Sequence, residues 1–444
     1  MPASVSRRDL LKWASAGAGA AAVGGGTWLL GRDGQPAGAS VPRSGDAPPA
    51  SEAGTPGTAG ASAPSAAAAP AGSAVGDTGQ RLLVVVEMDG GNDGMSMLVP
   101  YGMGPYYDLR TRTAVAQADV LTIDDQVGFH GRLVNVHRRG AAVIQGVGSA
   151  TPDGSHFEMM RRWWAGDANG TRSYDTGILG RLADAIGDPS AAAVAVSVGT
   201  ASHPSLLSRS ASTLAVPDAG AVGYLVGAND DDKVRQTFQR GFAALSQGGG
   251  DGPLGTLRSV GGRAVSFAER IGTSPDSEGD GGYPGSTLGR GLRLAAQLLT
   301  TDLGVRIVHV PMQEDFDTHD DHGGRYPGLM QTFDDAIEAF FTDIEAKGLS
   351  DRVLVMTTSE FGRTAKDNAS SGLDHGTASN MLLMGPVSAG LYGEHPSLTT
   401  LDDNDDLVAT VGMDQYFATI AEGWFGVPSS EIVGGAAPIT GMFS

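Results

Sequence analysis

The stretch VLVMTTSEFGRTAKDNASSGLDHG, Val353 to Gly376, decides how the chain is read. Its opening run, Val353 to Met356, is short, apolar and rich in β-branched residues, which suits a strand buried on both faces. Thr357-Thr358-Ser359-Glu360 then turns the chain polar, so a carboxylate stands at a strand's end. In open α/β sheets ligands sit off the carboxyl ends of the strands. Glu360, Gly362, Arg363 and the later Asp374-His375-Gly376 therefore fall where chemistry is placed, and the competing reading is a solvated loop with incidental charges.

The same pattern recurs on either side. Apolar runs at Leu82–Val86, Ala141–Val147, Ala192–Val198, Val305–Val310 and Met381–Met384 read as strands. Helical periodicity marks Leu133–Arg139, Asp231–Leu245, Leu257–Ile271, Leu288–Thr300, Met413–Trp424 and a long stripe of Leu329, Phe333, Ile337, Phe340, Phe341 and Ile344. After Val305–Val310 comes PMQEDFDTHDDH, Pro311 to His322, with five carboxylates and two histidines. A solvated acidic loop is one reading; a metal site of oxygen and imidazole donors is the other and is preferred. Strand, site, helix, strand, site is the order, and a right-handed crossover places Asp317 and Glu360 at one edge of a parallel sheet.

After Leu82–Val86 the loop Glu87-Met88-Asp89-Gly90-Gly91-Asn92-Asp93-Gly94 again sets carboxylates at a strand end, among glycines that allow a ligand close to the backbone. It matches neither a P-loop nor a GxGxxG fingerprint. Ser155 precedes a helical stretch with Glu158 three residues on, the pattern of a capping box. A hydroxyl there also faces free N–H groups and the positive end of the helix dipole, where a phosphate or sulfate would bind and a serine could attack it.

Composition narrows the classes. The 444 residues contain no cysteine, which excludes disulfides, a thiolate nucleophile and Cys-ligated zinc. A net charge of -20 argues against nucleic acid or an anionic membrane as partner. At the N-terminus, Ser6-Arg7-Arg8-Asp9-Leu10-Leu11-Lys12 followed by a weakly apolar run to Leu30 resembles a twin-arginine signal peptide. That resemblance implies export of the folded protein by the twin-arginine machinery, to periplasm, cell surface or medium. Residues 1–39 are read as the signal, with Ala37-Gly38-Ala39 as cleavage site and an uncleaved membrane anchor as the alternative; 40–80 as a disordered Ala/Gly/Pro/Ser tether; and 81–444 as the folded body.

On Gly90-Gly91-Asn92-Asp93-Gly94, Ser155-His156-Phe157, Asp317-Thr318-His319, Ser359 to Thr364 and Asp374-His375-Gly376, the body resembles a bacterial family of unknown function. The family is grouped by fold with alkaline phosphatases, sulfatases and cofactor-independent phosphoglycerate mutases. The resemblance implies an α/β, alkaline-phosphatase-like three-layer sandwich with a mostly parallel central sheet and helices on both faces. It implies Asp89 or Asp93 as the first-strand metal carboxylate, Ser155 as nucleophile, and Asp317, His319 and His375 as ligands of one divalent metal. Glu360 stands where the superfamily has Asp, and Phe361 where it has His.

Losing that imidazole leaves a second metal position with oxygen donors alone: Glu360, Asp89 or Asp93, and Ser155. Such a site prefers calcium, magnesium or manganese over zinc, or stays empty, so one ion or two are expected. Arg363 becomes a candidate clamp on substrate oxygens. The function implied is an exported metal-dependent hydrolase of small or polymeric phosphate or sulfate esters. The alternative is a non-catalytic surface or secreted binding protein on the same fold, which Phe361 favours and the joint presence of Ser155, Asp317, His319, Glu360 and His375 disfavours.

Overall fold

The computed structural model describes residues 81–171, 175–188, 191–199, 201–217, 281–301 and 303–443, with parts of 232–267. The expected signal and tether, 1–39 and 40–80, lie outside the described residues, as does most of 257–271.

Among the described residues nine strands make the central sheet: β1 Leu82–Met88, β2 Ala142–Gly148, β3 Ala195–Val198, β4 Thr213–Val216, β5 Ile307–Met312, β6 Val353–Thr358, β7 Ser379–Met384, β8 Gly390–Tyr392 and β9 Val411–Gly412. Their order across the sheet is β8-β2-β7-β6-β1-β5-β3-β4, with β9 also pairing β2. All pairs are parallel except those of β7, which runs antiparallel to both β6 and β2. β1 lies between β5 and β6, in register Val86↔Val310 and Val86↔Thr357. The carboxyl ends of these three strands therefore share one edge, as the crossover argument requires.

β1 is buried along its whole length because both faces are covered. Leu82, Val84, Val86 and Met88 point to one core with Leu288, Leu292 and Ala295 of α4 (Thr287–Thr300) and Phe333, Ile337 and Phe340 of α5 (His322–Ala346). Leu83 and Val85 point to the other, with Met159 and Trp163 of α2 (His156–Ala165), Leu179 and Leu182 of α3 (Ile178–Ile186), and Tyr416 and Phe417 of α6 (Met413–Ala418). Alternate residues of one strand thus feed two cores, which makes the three layers. The short helix α1, Val134–Arg139, adds Val136 to the first core.

Three elements differ from the periodicity. α5 starts at His322, well before the apolar stripe, because His322 stacks on Tyr326 at 4.7 Å and is buried in the first turn. The helix expected over Met413–Trp424 changes to π geometry at Thr419–Phe425. A small antiparallel sheet of Leu98–Val99, Val120–Thr122 and Gly128–His130 had no signal in runs of two or three residues.

Phe340 is fully buried where α5 meets the sheet. Phe340→Ala is expected to destabilise the body by about 3–5 kcal/mol in urea unfolding, through lost burial and the cavity left behind.

Candidate functional site

The loops leaving β1, β5 and β6 close on each other around Arg363, which is 1% exposed. Its Nε donates to the Gly91 carbonyl at 2.8 Å, Nη1 to Leu373 at 3.1 Å, and Nη2 to Gly90, to Phe316 at 3.0 Å and to Asp317 Oδ1 at 2.6 Å. Gly90 and Gly91 both have positive φ, 110° and 83°, and a Cβ on Gly90 would stand 2.6 Å from the Asp317 nitrogen. Only glycine lets this loop lie against 316–317. The expectation that Arg363 clamps substrate oxygens is corrected here: four carbonyls and Asp317 occupy the guanidinium. Its effect is to orient Asp317. Burial alone would raise the Asp317 carboxyl, and Arg363, with His319 and His156, more than reverses that.

Around Asp317 Oδ1 stand three imidazole nitrogens: His319 Nε2 at 3.1 Å, His375 Nε2 at 3.4 Å and His156 Nε2 at 3.7 Å. The Nε2 atoms of His319 and His375 are 2.9 Å apart. Each ring is held through its other nitrogen, His319 Nδ1 by Asp374 at 2.8 Å, His375 Nδ1 by the Gly154 carbonyl at 2.7 Å and His156 Nδ1 by Glu360 Oε1 at 2.7 Å. Phe361 forms the floor, its ring 4.6 Å from His375 and 4.8 Å from His156. The cluster opens to solvent, with the four side chains between 22% and 43% exposed. The bond to Glu360 pushes His156 above the ordinary histidine range, whereas burial pulls His375 below it.

Glu360 lies beneath these rings, its Oε1 also accepting from the Gly90 nitrogen at 3.0 Å and its Oε2 facing Ser359 Oγ at 3.3 Å. Asp93 is elsewhere. It is 2% exposed and paired through both oxygens with Arg110, at 2.9 and 3.0 Å, and with His322 Nε2 at 3.4 Å. Burial would raise that carboxyl, but Arg110 and His322 hold it far below the usual range. His322, read with the metal-capable run, also sits in this buried network, against Ser96 Oγ at 3.0 Å and Thr318 Oγ1 at 2.8 Å. Asp89 stays near the site with burial, Glu87, Glu360 and Glu314 pushing its carboxyl up to about 8.

Ser155 precedes α2, between Gly154, whose carbonyl holds His375, and His156. The capping box is corrected: the Ser155 side chain caps nothing, and Glu158 instead pairs with Arg161 and Arg162, both at 2.8 Å. Asp153 takes the Ser155 amide at 2.8 Å. His156, which the sequence shows only as part of the Ser155-His156-Phe157 motif, follows Ser155 and is the third imidazole.

A second cluster also escaped notice. Glu87 Oε2 faces His309 Nε2 at 2.6 Å and His203 Nε2 at 3.1 Å, and its Oε1 accepts from Trp164 Nε1 at 2.7 Å. The two imidazoles are stacked at 3.9 Å and 18°. Rings nearly parallel at that spacing cannot both aim an in-plane lone pair at one ion about 2.0–2.1 Å away. Three N–H donors on one buried carboxylate account for the cluster, and they hold Glu87 well below the usual range despite burial. His309 was legible as an ionisable residue inside an apolar run, whereas Glu87 reads as the first residue of the loop after Leu82–Val86 and lies instead inside β1.

Residues 256–421 match the model of a family described as a protein of unknown function (DUF1501). The matched segment contains Asp317, His319, Glu360, Arg363 and His375, while β1 and His156 lie before it. No curated protein matches the chain. Solved structures similar to it include the lipoteichoic acid synthase LtaP from Listeria monocytogenes, at 9% identity over 81% of this chain and 76% of that one, TM-score 0.35. The zinc complex of the C-terminal periplasmic domain of EcEptC from Escherichia coli is 9% identical over 81% and 84%, TM-score 0.34. The PsFucS1 sulfatase from Pseudoalteromonas sp. is 11% identical over 76% and 71%, TM-score 0.34. These likenesses carry no argument about what this chain does.

Asp89 supplies a test of the site's electrostatics. Its folded pKa of about 8 exceeds the unfolded value near 4, so the unfolded chain gives up this proton first and stability falls as pH rises between the two. In chelator, Asp89→Asn is expected to raise Tm by several degrees at pH 8 and leave it unchanged at pH 4, measured by thermal melts.

Proposed function

We propose that this chain is an exported metal-dependent hydrolase of phosphate or sulfate esters. One observation carries the metal: the facing Nε2 atoms of His319 and His375, 2.9 Å apart beside Asp317 Oδ1. Their Nδ1 atoms face a carboxylate and a carbonyl, which only accept hydrogen bonds, so each Nδ1 carries its proton. Each neutral ring then presents a lone pair at Nε2. Two lone pairs and an anionic oxygen at these distances repel unless a cation lies among them. A divalent ion among them removes that repulsion. Two imidazoles and a carboxylate suit zinc or manganese. Bound there, the ion would supply Lewis acidity toward the ester's oxygens.

Ser155 is the proposed nucleophile. Its hydroxyl is not used as a helix cap, and it stands at the positive end of α2, where an anionic ester is favoured. Its Oγ forms the new bond to phosphorus or sulfur as the bond to the ester's alcohol breaks, the serine proton leaving with that alcohol, and water then releases phosphate or sulfate and restores the hydroxyl. Asp374, Gly154 and Arg363 keep the donors in place. Twin-arginine export rests on Arg7, Arg8 and Lys12 before the weakly apolar run. Among the described residues no helix is long and apolar enough to cross a membrane.

Metal content by plasma mass spectrometry, on protein starting at Ser40, tests the reading beside a His319→Ala, His375→Ala double variant. About one equivalent in the wild type, lost in the double variant, is expected. A panel of aryl phosphates and sulfates should then show turnover that Ser155→Ala lowers by at least about 100-fold. No metal in either protein after incubation with zinc, manganese, magnesium and calcium would sink the hydrolase.

A further inference from the structure

We infer that His156 is a fourth protein donor to a single ion at this site, with Glu360 as its outer partner, so that the chain holds one metal and not two. The inference rests on the metal-dependent reading above and sharpens it. His156 meets the same condition as the other two rings. Its Nδ1 lies 2.7 Å from Glu360 Oε1, an acceptor, so the neutral ring turns a lone pair at Nε2 toward Asp317 Oδ1, 3.7 Å away.

Ligand atoms of His156, Asp317 and His375 all lie within 4.8 Å of one another. Four donors at about 2.0–2.1 Å from a tetrahedral ion are ~3.3 Å apart. Four of the six donor pairs, at 2.9, 3.1, 3.4 and 3.7 Å, fall on either side of that value, and His156 and His375 lie within 4.8 Å of each other. The ring is also fixed in place, against the Phe361 floor and edge-on to His375 at 4.3 Å.

The oxygens a second ion would need are already engaged. Both Asp93 oxygens are on Arg110. Glu360 Oε1 holds His156 and the Gly90 amide, and Oε2 faces Ser359. That leaves Asp89 and the Ser155 hydroxyl, too few protein oxygens to hold a second divalent ion in the absence of substrate. Glu360 instead does for His156 what Asp374 does for His319: it fixes the tautomer and aims the ring.

The test is metal titration and cobalt substitution of the full-length exported protein and its variants, with activity not required. Wild type should bind one equivalent of zinc. Glu360→Gln should still bind one equivalent, about 10–100-fold more weakly. His156→Ala and His156→Gln should both bind more weakly by a similar factor and alter the visible d–d absorption of the cobalt form, which reports donor number and type. Circular dichroism melts confirm that each variant is folded, and the Gln variant separates loss of a donor from loss of bulk.

Two equivalents in the wild type falling to one in Glu360→Gln would overturn the inference and make Glu360 a direct ligand. Unchanged affinity and spectrum in both His156 variants would overturn it too, while the metal-dependent reading stands so long as the His319/His375 double variant loses the ion. A wild type that binds no ion would overturn both.

Discussion

The buried guanidinium of Arg363 is the contact on which the arrangement at the sheet's edge depends. It joins the loop after β1, through Gly90 and Gly91, to the loop after β5, through Phe316 and Asp317, and to Leu373 just ahead of His375. Each segment leaves a different element and would otherwise turn unpaired carbonyls inward. A fully buried cation is costly unless its donors are met, and here five acceptors meet them, one of them charged. Removing the cation would leave those carbonyls unpaired together, so these loops hold their positions jointly.

Phe361 takes on a different meaning once the site is assembled. As a replacement for an imidazole it argues against chemistry. In place, it lies beneath His156 and His375 and would collide with any Cβ on Gly91. An apolar floor fixes two rings without competing for their nitrogens. An imidazole reaches this floor from position 156, at the start of α2.

The central strands were legible because burial on both faces leaves continuous apolar runs, and the strand-end rule then pointed to Asp317, Glu360 and His375 before any coordinates. What could not be read was which carboxylate turns which way. Asp89 and Asp93 differ in where Arg110 and His322 reach, and Arg110 stands with Arg112 in a sequence stretch with no motif. The role of His156 depends on a contact with Glu360 across 204 residues, and the use of Glu158 depends on two arginines rather than on the cap its spacing suggests. Spacing along the chain reports local geometry, and these outcomes were settled by tertiary partners.

The position of β1 also has a consequence for how the protein is made. It is the first strand of the body to be synthesised, yet its two neighbours, β5 and β6, begin at Ile307 and Val353. At about 5–20 residues per second, the ribosome needs on the order of 10–40 s after finishing β1 to reach its first partner. Through that interval LLVVVEM is an apolar strand with both edges unpaired. Enclosure of the first strand therefore waits until more than 200 further residues have been made, and is complete only once Val353–Thr358 has emerged.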